Sequence, residues 1–326
     1  MVLTRSPLRI SLGGGGTDLP SYYRKHGGFL ISAAIDKYVF VSVTRPFTLG
    51  ISLKYSRLEY VQKVADVQHP IIRECLGLMK YESPRIEITT LADIPAGTGL
   101  GSSGSFTTAL LKALYAHEKL FLHPDELARL ACHVEIDLLK EPIGKQDQYI
   151  AAFGGITCFT FSPDESVEAV PLKLGADTLL DLEDNLLLFF TGQHRSASSI
   201  LKDQDVRTRD SDSEMISNLH EIGELATRSK KALEDGRCAE FGELMHEHWV
   251  SKKKRSGGIT NPAIDAWYET GRANGAIGGK VVGAGGGGFL LFYTENRARL
   301  RKAMAGAGLE EVRFRFDFEG TKVLLS

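Results

Sequence analysis

The chain has 326 residues, 43% hydrophobic and 25% charged, with a formal net charge of −2. That length points to about two domains, and the near-neutral charge excludes a global affinity for nucleic acid or an anionic membrane, so any anion recognition must be local. Four scattered cysteines with no Cys-x-x-Cys pair exclude a zinc framework and a disulfide scaffold, and suit buried thiols in a reducing cytosol.

Residues 2–12 alternate well enough for a strand, broken among its apolar positions by Arg5 and Arg9. With no run near the ~18 residues needed to span a bilayer, the protein is expected to be cytoplasmic, without a signal peptide. Gly13–Gly16 followed by Thr17 and Asp18 ends the strand in a glycine-rich turn. A tight turn needs one or two glycines, and four in a row favour close approach to a ligand over a plain hairpin. Residues 29–45 and 51–64 read as strands, 70–80 as a helix and 85–91 as a further strand.

The stretch from Asp93 to Ser105 carries glycines at 97, 99, 101 and 104, able to fold into a nest of N–H groups that binds anions. Phe106, Ala109, Leu110, Ala113 and Leu114 follow at helical spacing, so the loop leads into the positive end of a helix, which suits a polyphosphate. Residues 124–139 form a second amphipathic helix closed by Pro142. Glu135 lies beside its apolar stripe, and spacing alone favours a solvated carboxylate there. Asp147 falls in a short loop at 144–149, where a turn or cap role is the plainer one. Two carboxylates near a phosphate nest also suit a metal ligand and a base.

A composition shift over 162–184 marks a division, drawn as 1–178 and 179–326. Beyond it lie a strand at 185–190, helices at 212–235, 237–250 and 262–274, a strand–glycine turn–strand at 278–293, a helix at 295–306 and a strand at 311–317. That order makes the second half α+β with an antiparallel sheet. The basic run Lys252–Arg255 reads as a solvated helix end.

Gly99-Leu-Gly-Ser-Ser-Gly104 satisfies G-x-G-x-x-G, yet the chain goes on through Pro124 into another helix where a dinucleotide fold needs a parallel strand. No Gly-Lys-Ser/Thr ends the loop, so it is not a P-loop. His133-Val-Glu135 lacks the downstream Pro-Cys-x-x-Cys of zinc deaminases, and His246 and His248 do not share a helix face.

Three blocks in this order, Ser6-Pro-Leu-Arg9 with Gly13–Asp18, Ile94–Ser103 and Gly283–Phe289, resemble the small-molecule kinases named for galactokinase, homoserine kinase, mevalonate kinase and phosphomevalonate kinase, the GHMP kinases. The resemblance implies a two-domain α+β architecture, with a ribosomal protein S5 domain 2-like N-terminal domain that binds ATP and a ferredoxin-like C-terminal domain. It implies nucleotide contacts at Pro95, Gly97, Gly99, Leu100, Gly101, Ser102, Ser103 and Gly104, and Mg2+ held by Ser103 and Glu135. It makes Asp147 the base and puts Arg9 by the transferred phosphoryl group, with the substrate against Arg9, Gly15, Gly16, Thr17, Asp18, Gly285 and Gly286.

Within the family, Arg9–Pro20, Ala34–Tyr38 and Gly144–Tyr149 are most similar to the heptose 7-phosphate kinases. Galactokinases carry Gly-Glu-His-Thr-Asp at the first block, where Gly15 and Gly16 here leave room for a larger sugar. L-fucokinases share part of the pattern. The implied partners are ATP and a sugar phosphate, whose own phosphate calls for a second cationic pocket. Arg195, the Lys252–Arg255 run, Arg24 and Lys25 are its candidates. A nucleotide sensor without turnover and an oxidoreductase built on the glycine loop are the readings from other classes, and Ser103, Glu135 and Asp147 together favour turnover.

Overall fold

The computed structural model describes residues 1–81, 85–193 and 197–326. In the first half the strands are β1 (Val2–Gly13), β2 (Gly28–Thr44), β3 (Gly50–Lys54), β4 (Leu58–Val61), β5 (Arg85–Ala92), β6 (Ile156–Phe161) and β7 (Val167–Pro171). The helices there are α1 (Pro20–His26), α2 (Pro70–Leu78), α3 (Ser102–His117), α4 (Pro124–Cys132) and α5 (Gln146–Phe153). The remainder holds α6 (Ala176–Asn185), α7 (Ala197–Arg209), α8 (Ser213–Glu234), α9 (Cys238–Arg255), α10 (Pro262–Ala273) and α11 (Arg297–Gly306). Its strands are β8 (Leu186–Phe190), β9 (Ala276–Val281), β10 (Phe289–Thr294), β11 (Glu310–Glu311) and β12 (Lys322–Leu325).

One sheet runs β12-β1-β2-β5-β3-β4, with β6 on β2 and β7 on β6, all antiparallel except β3 with β5. The other runs β11-β8-β10-β9 and is wholly antiparallel, as expected for the second half. Strand β2 is buried on both faces. Leu30 and Ala34 enter a core with α3, whereas Ile31, Ala33 and Ile35 enter a second core with α8, α9 and β10, the period-two consequence of layers on either side. Thr4 and Ser6 stay buried against α3 because their hydroxyls bond Ala109 O at 2.9 Å and Thr108 Oγ1 at 2.8 Å. A third core lies beneath α10 and α11, on Leu290 and Phe292.

Several elements depart from expectation. The loop at 144–149 is the start of α5, and the single helix over 124–139 is α4 followed by a π-helical turn, His133–Leu138. The strand at 311–317 shrinks to β11 plus one bridge between Ile35 and Phe316. Residue 178 falls inside α6, β7 lies within the composition shift, and β12 returns to pair with β1. All four cysteines are buried and free. Among the described residues no helix is long and apolar enough to cross a membrane.

Candidate active site

Between β5 and α3 the loop sets Gly97, Gly99 and Gly101 at φ of +78°, +84° and +77°. Alternating left-handed residues turn backbone N–H groups inward, and Gly101 caps α3 from that conformation with no side chain on the first-turn amides, which leaves them to an anion. Gly97, Gly99, Gly101, Ser102, Ser103 and Gly104 line a cleft of about 320 Å³. Pro95 is exposed and only accepts a turn bond from Thr98 Oγ1, at 3.0 Å. Leu100 is buried in the second core, and its carbonyl accepts from Arg9 N–H at 3.0 Å. These two shape the loop from outside the cleft. A Cβ at Gly101 would stand 3.1 Å from Arg9 Cγ and 3.2 Å from Asp147 Cγ, so glycine is needed there for the side chains behind the loop as well as for its backbone.

Arg9, on β1, grips Asp147 in the first turn of α5 through two bonds, Nε to Oδ1 at 2.8 Å and Nη2 to Oδ2 at 3.0 Å. Its Nη1 donates to Gly99 O at 2.5 Å, which ties the pair to the glycine loop. Such a fork fixes a carboxylate in direction as well as place. Glu135 is 1% exposed, not solvated, because the wider π turn carries it under α3, a use such turns often have at functional sites. Ser103 Oγ donates to its Oε1, and Gln148 Nε2 to its Oε2 at 2.7 Å. Burial pushes the Glu135 carboxyl up to about 7. Among the described residues Gln148 Oε1, buried, has no hydrogen-bond partner. One hydroxyl, one carboxyl and an unsatisfied amide oxygen are hard donors of the kind Mg2+ takes. Among the described residues no three His, Cys, Asp or Glu side chains gather as a metal cluster.

Arg9 and Asp147 also border a second pocket, of about 100 Å³. Gly15, Gly16 and Asp18 line it. Asp18 accepts from Gly16 N–H and Gln146 N–H, each at 3.0 Å, and burial raises its pKa. Thr17 lies outside, with its hydroxyl bonded to Gly14 O and Phe29 O, each at 2.9 Å, where it pins the turn. Gly285 lines the larger cleft instead, and Gly286 lines neither, its N–H donating to Ile259 O at 2.8 Å. Of the phosphate candidates, Arg24 pairs with Glu165 at the surface and exposed Lys25 meets Ser211. Arg195 lies outside the described residues.

The basic run is only half a solvated helix end. Lys252 and Arg255 are buried and line the second pocket, with His248 one turn earlier on the same face of α9 and Lys280 opposite on β9. Lys280 Nζ donates to Leu12 O at 3.0 Å, and Lys252 Nζ to Val281 O at 3.0 Å and to Gly283 O. Arg255 donates to Gly15 O at 2.9 Å and Asn218 Oδ1 at 3.0 Å. Burial, then neighbouring positive charge, draws the Lys280 pKa down to about 7 and moves Lys252 and His248 well below their ordinary values. The sequence reading set His248 aside as a metal ligand and gave Lys280 no role. The 248, 252, 255 spacing and a lone lysine between glycines and valines were the available signals.

Residues 59–155 match the family described as GHMP kinases N terminal domain, and residues 229–308 match GHMP kinases C terminal. A D-glycero-alpha-D-manno-heptose 7-phosphate kinase of Campylobacter jejuni is 28% identical over 98% of this chain and 98% of its own. An L-fucokinase/L-fucose-1-P guanylyltransferase of Bacteroides fragilis is 28% identical over 93% of this chain, which spans only 36% of that longer protein. The crystal structure of a D-glycero-D-manno-heptose 1-phosphate kinase from Bacteroides thetaiotaomicron superposes with a TM-score of 0.81 at 26% identity, covering 100% of this chain and 99% of that one.

Proposed function

The chain belongs to the GHMP kinases, and from that premise we propose that it transfers the γ-phosphoryl group of ATP to the anomeric hydroxyl of D-glycero-α-D-manno-heptose 7-phosphate, giving the 1,7-bisphosphate. The observation that carries this reading is the Arg9–Asp147 pair, which borders both the glycine-lined cleft and the cationic pocket. The heptose assignment draws on the Campylobacter relative, similar from end to end.

In this reading the amides of Gly97–Gly104 and the start of α3 hold the nucleotide phosphates. Ser103 and Glu135 hold Mg2+, which when bound neutralises charge on the β- and γ-phosphates. Asp147, aimed by Arg9, orients the anomeric hydroxyl and accepts its proton as the new phosphorus–oxygen bond forms and the bond from the γ-phosphorus to the β-phosphate oxygen breaks, releasing ADP. Arg9 offsets charge on the equatorial oxygens of the group in flight. Residues 1–178 then form the ATP-binding part and 179–326 the C-terminal part, in a cytoplasmic enzyme that engages neither nucleic acid nor membrane.

ATP-dependent phosphorylation, followed by mass spectrometry across heptose 7-phosphate, free heptose, L-fucose and galactose, tests the assignment. We expect heptose 7-phosphate to be used at least about tenfold better in kcat/KM than the free heptose, the worth of one charge-assisted phosphate contact. Equal use of free heptose, fucose or galactose removes the 7-phosphate from the assignment, and no turnover with any acceptor leaves a nucleotide-binding sensor. Asp147→Asn should cut turnover with little effect on ATP affinity, and wild-type turnover would make Asp147 structural.

A further inference from the structure

Cations taken out of water need an anion beside them, or the protein bears the full cost of their burial. Lys252, Arg255 and Lys280 are 7%, 3% and 2% exposed, and their hydrogen bonds run to carbonyl and amide oxygens. Among the described residues none of the three has a carboxylate ion-pair partner. Of the two acids on the pocket wall, Asp147 is held by Arg9, and Asp18 accepts from two backbone amides while its charge offsets part of the cost of burying Arg255 alone. Among the described residues, two buried nitrogens of these side chains, Arg255 Nη2 and His248 Nδ1, have no hydrogen-bond partner. His248 Nε2 accepts from Gly14 N–H at 3.3 Å, which leaves the ring proton on Nδ1. The space, about 100 Å³, is far below the several hundred Å³ of a site for a whole nucleotide.

We propose that this pocket is a phosphate-monoester subsite that seats the phosphoryl group the sugar already carries, with Arg255, Lys252 and Lys280 as its cationic ligands and His248 as a further donor. The inference rests on the reading of the chain as a sugar-phosphate kinase, and adds which residues recognise the far end of the substrate. The direction follows from the partition. The Arg9–Asp147 pair borders both the pocket and the glycine-lined cleft, so an acceptor hydroxyl at Asp147 with the nucleotide in the cleft directs the far end of the sugar toward the pocket. A phosphate dianion there reverses the mutual repulsion that, after burial, pulls down the pKa values of Lys252 and Lys280.

Wild type, Arg255→Met and Lys280→Met are to be compared for kcat/KM on heptose 7-phosphate and on unphosphorylated heptose, with ATP affinity measured alongside. Each variant should lower the preference for the phosphorylated sugar roughly ten- to hundredfold, mainly through KM, with ATP affinity retained. Arg255→Lys, which keeps the charge without the fork, should recover part of the preference. An unchanged preference, or equal losses on both sugars, overturns the subsite. A second arm uses wild type alone, with inorganic phosphate as inhibitor. Competition with heptose 7-phosphate and not with ATP supports the subsite, whereas competition with ATP alone assigns the anion to the nucleotide side and overturns it, as does no inhibition. If wild type shows no preference for the phosphorylated sugar, the functional reading fails. If the preference exists and survives in both variants, only the subsite fails.

Discussion

Lys280 holds its ammonium against Leu12 O in a buried pocket, and burial with the charges of Arg9 and Arg255 brings its pKa from 10.5 to about 7. Between those values the unfolded chain carries a proton that the folded protein has released, so stability rises with pH through the window and is lost as pH falls through about 7. Urea unfolding at pH 7.5 and 9.0 should therefore show greater stability at the higher pH, with a slope of up to about 1.4 kcal/mol per pH unit from this group. Lys280→Met should lessen that slope, leaving the share of Lys252, whose pKa burial also draws well down, and should stabilise the protein at pH 7, and parallel pH profiles for the two proteins would remove Lys280 as a source. In the sequence this residue shows as no more than a lone lysine between glycines and valines. Arg9, Ser103 and Asp147 sit inside contiguous motifs, and their proposed roles entered through the resemblance those motifs carry, whereas the burial of Lys280 is made by α9 packing across β9. Glu135 stood between these cases, since spacing alone favoured solvent and only the resemblance raised it.

Helix α9 reaches the pocket because its backbone lies almost on β9. A Cβ at Gly278 would come within 1.8 Å of Gly242 O, and one at Gly242 within 2.7 Å of Tyr293 Cδ1. Gly278→Ala should push helix and strand apart, at a cost of at least about 1–3 kcal/mol in urea unfolding, and weaken use of the phosphorylated sugar by moving Lys252 and Arg255 off Lys280. A variant as stable as wild type would show that the interface can relax. Elements with long periodic faces, α3, α8 and α10, were readable from sequence, since an apolar stripe sustained over several turns marks the buried face of a helix. Helix α5 was not, because eight residues opened by Gly144 and Lys145 look like a loop. The π turn at His133–Leu138 keeps the composition of the helix it interrupts, and β12, four residues long, has its pairing decided by β1 alone.

At the scale of the molecule, the α+β class and the antiparallel second sheet were apparent from element order. The return of residues 322–325 to the first sheet was not, since no local pattern encodes which edge a short strand joins. The two halves meet backbone to backbone in the site, where a Cβ at Gly283 would come within 2.6 Å of Gly99 O and one at Gly288 within 2.0 Å of Thr98 O. Lys252 reaches from the smaller pocket to Gly283 O, and Arg9 to Gly99 O. Ligands bound in the two pockets would thus share a wall, and whatever free energy couples them is a single quantity. If the sugar phosphate tightens ATP by some factor, ATP must tighten the sugar phosphate by the same factor. The final occupancy of the doubly liganded protein is then independent of which ligand arrives first.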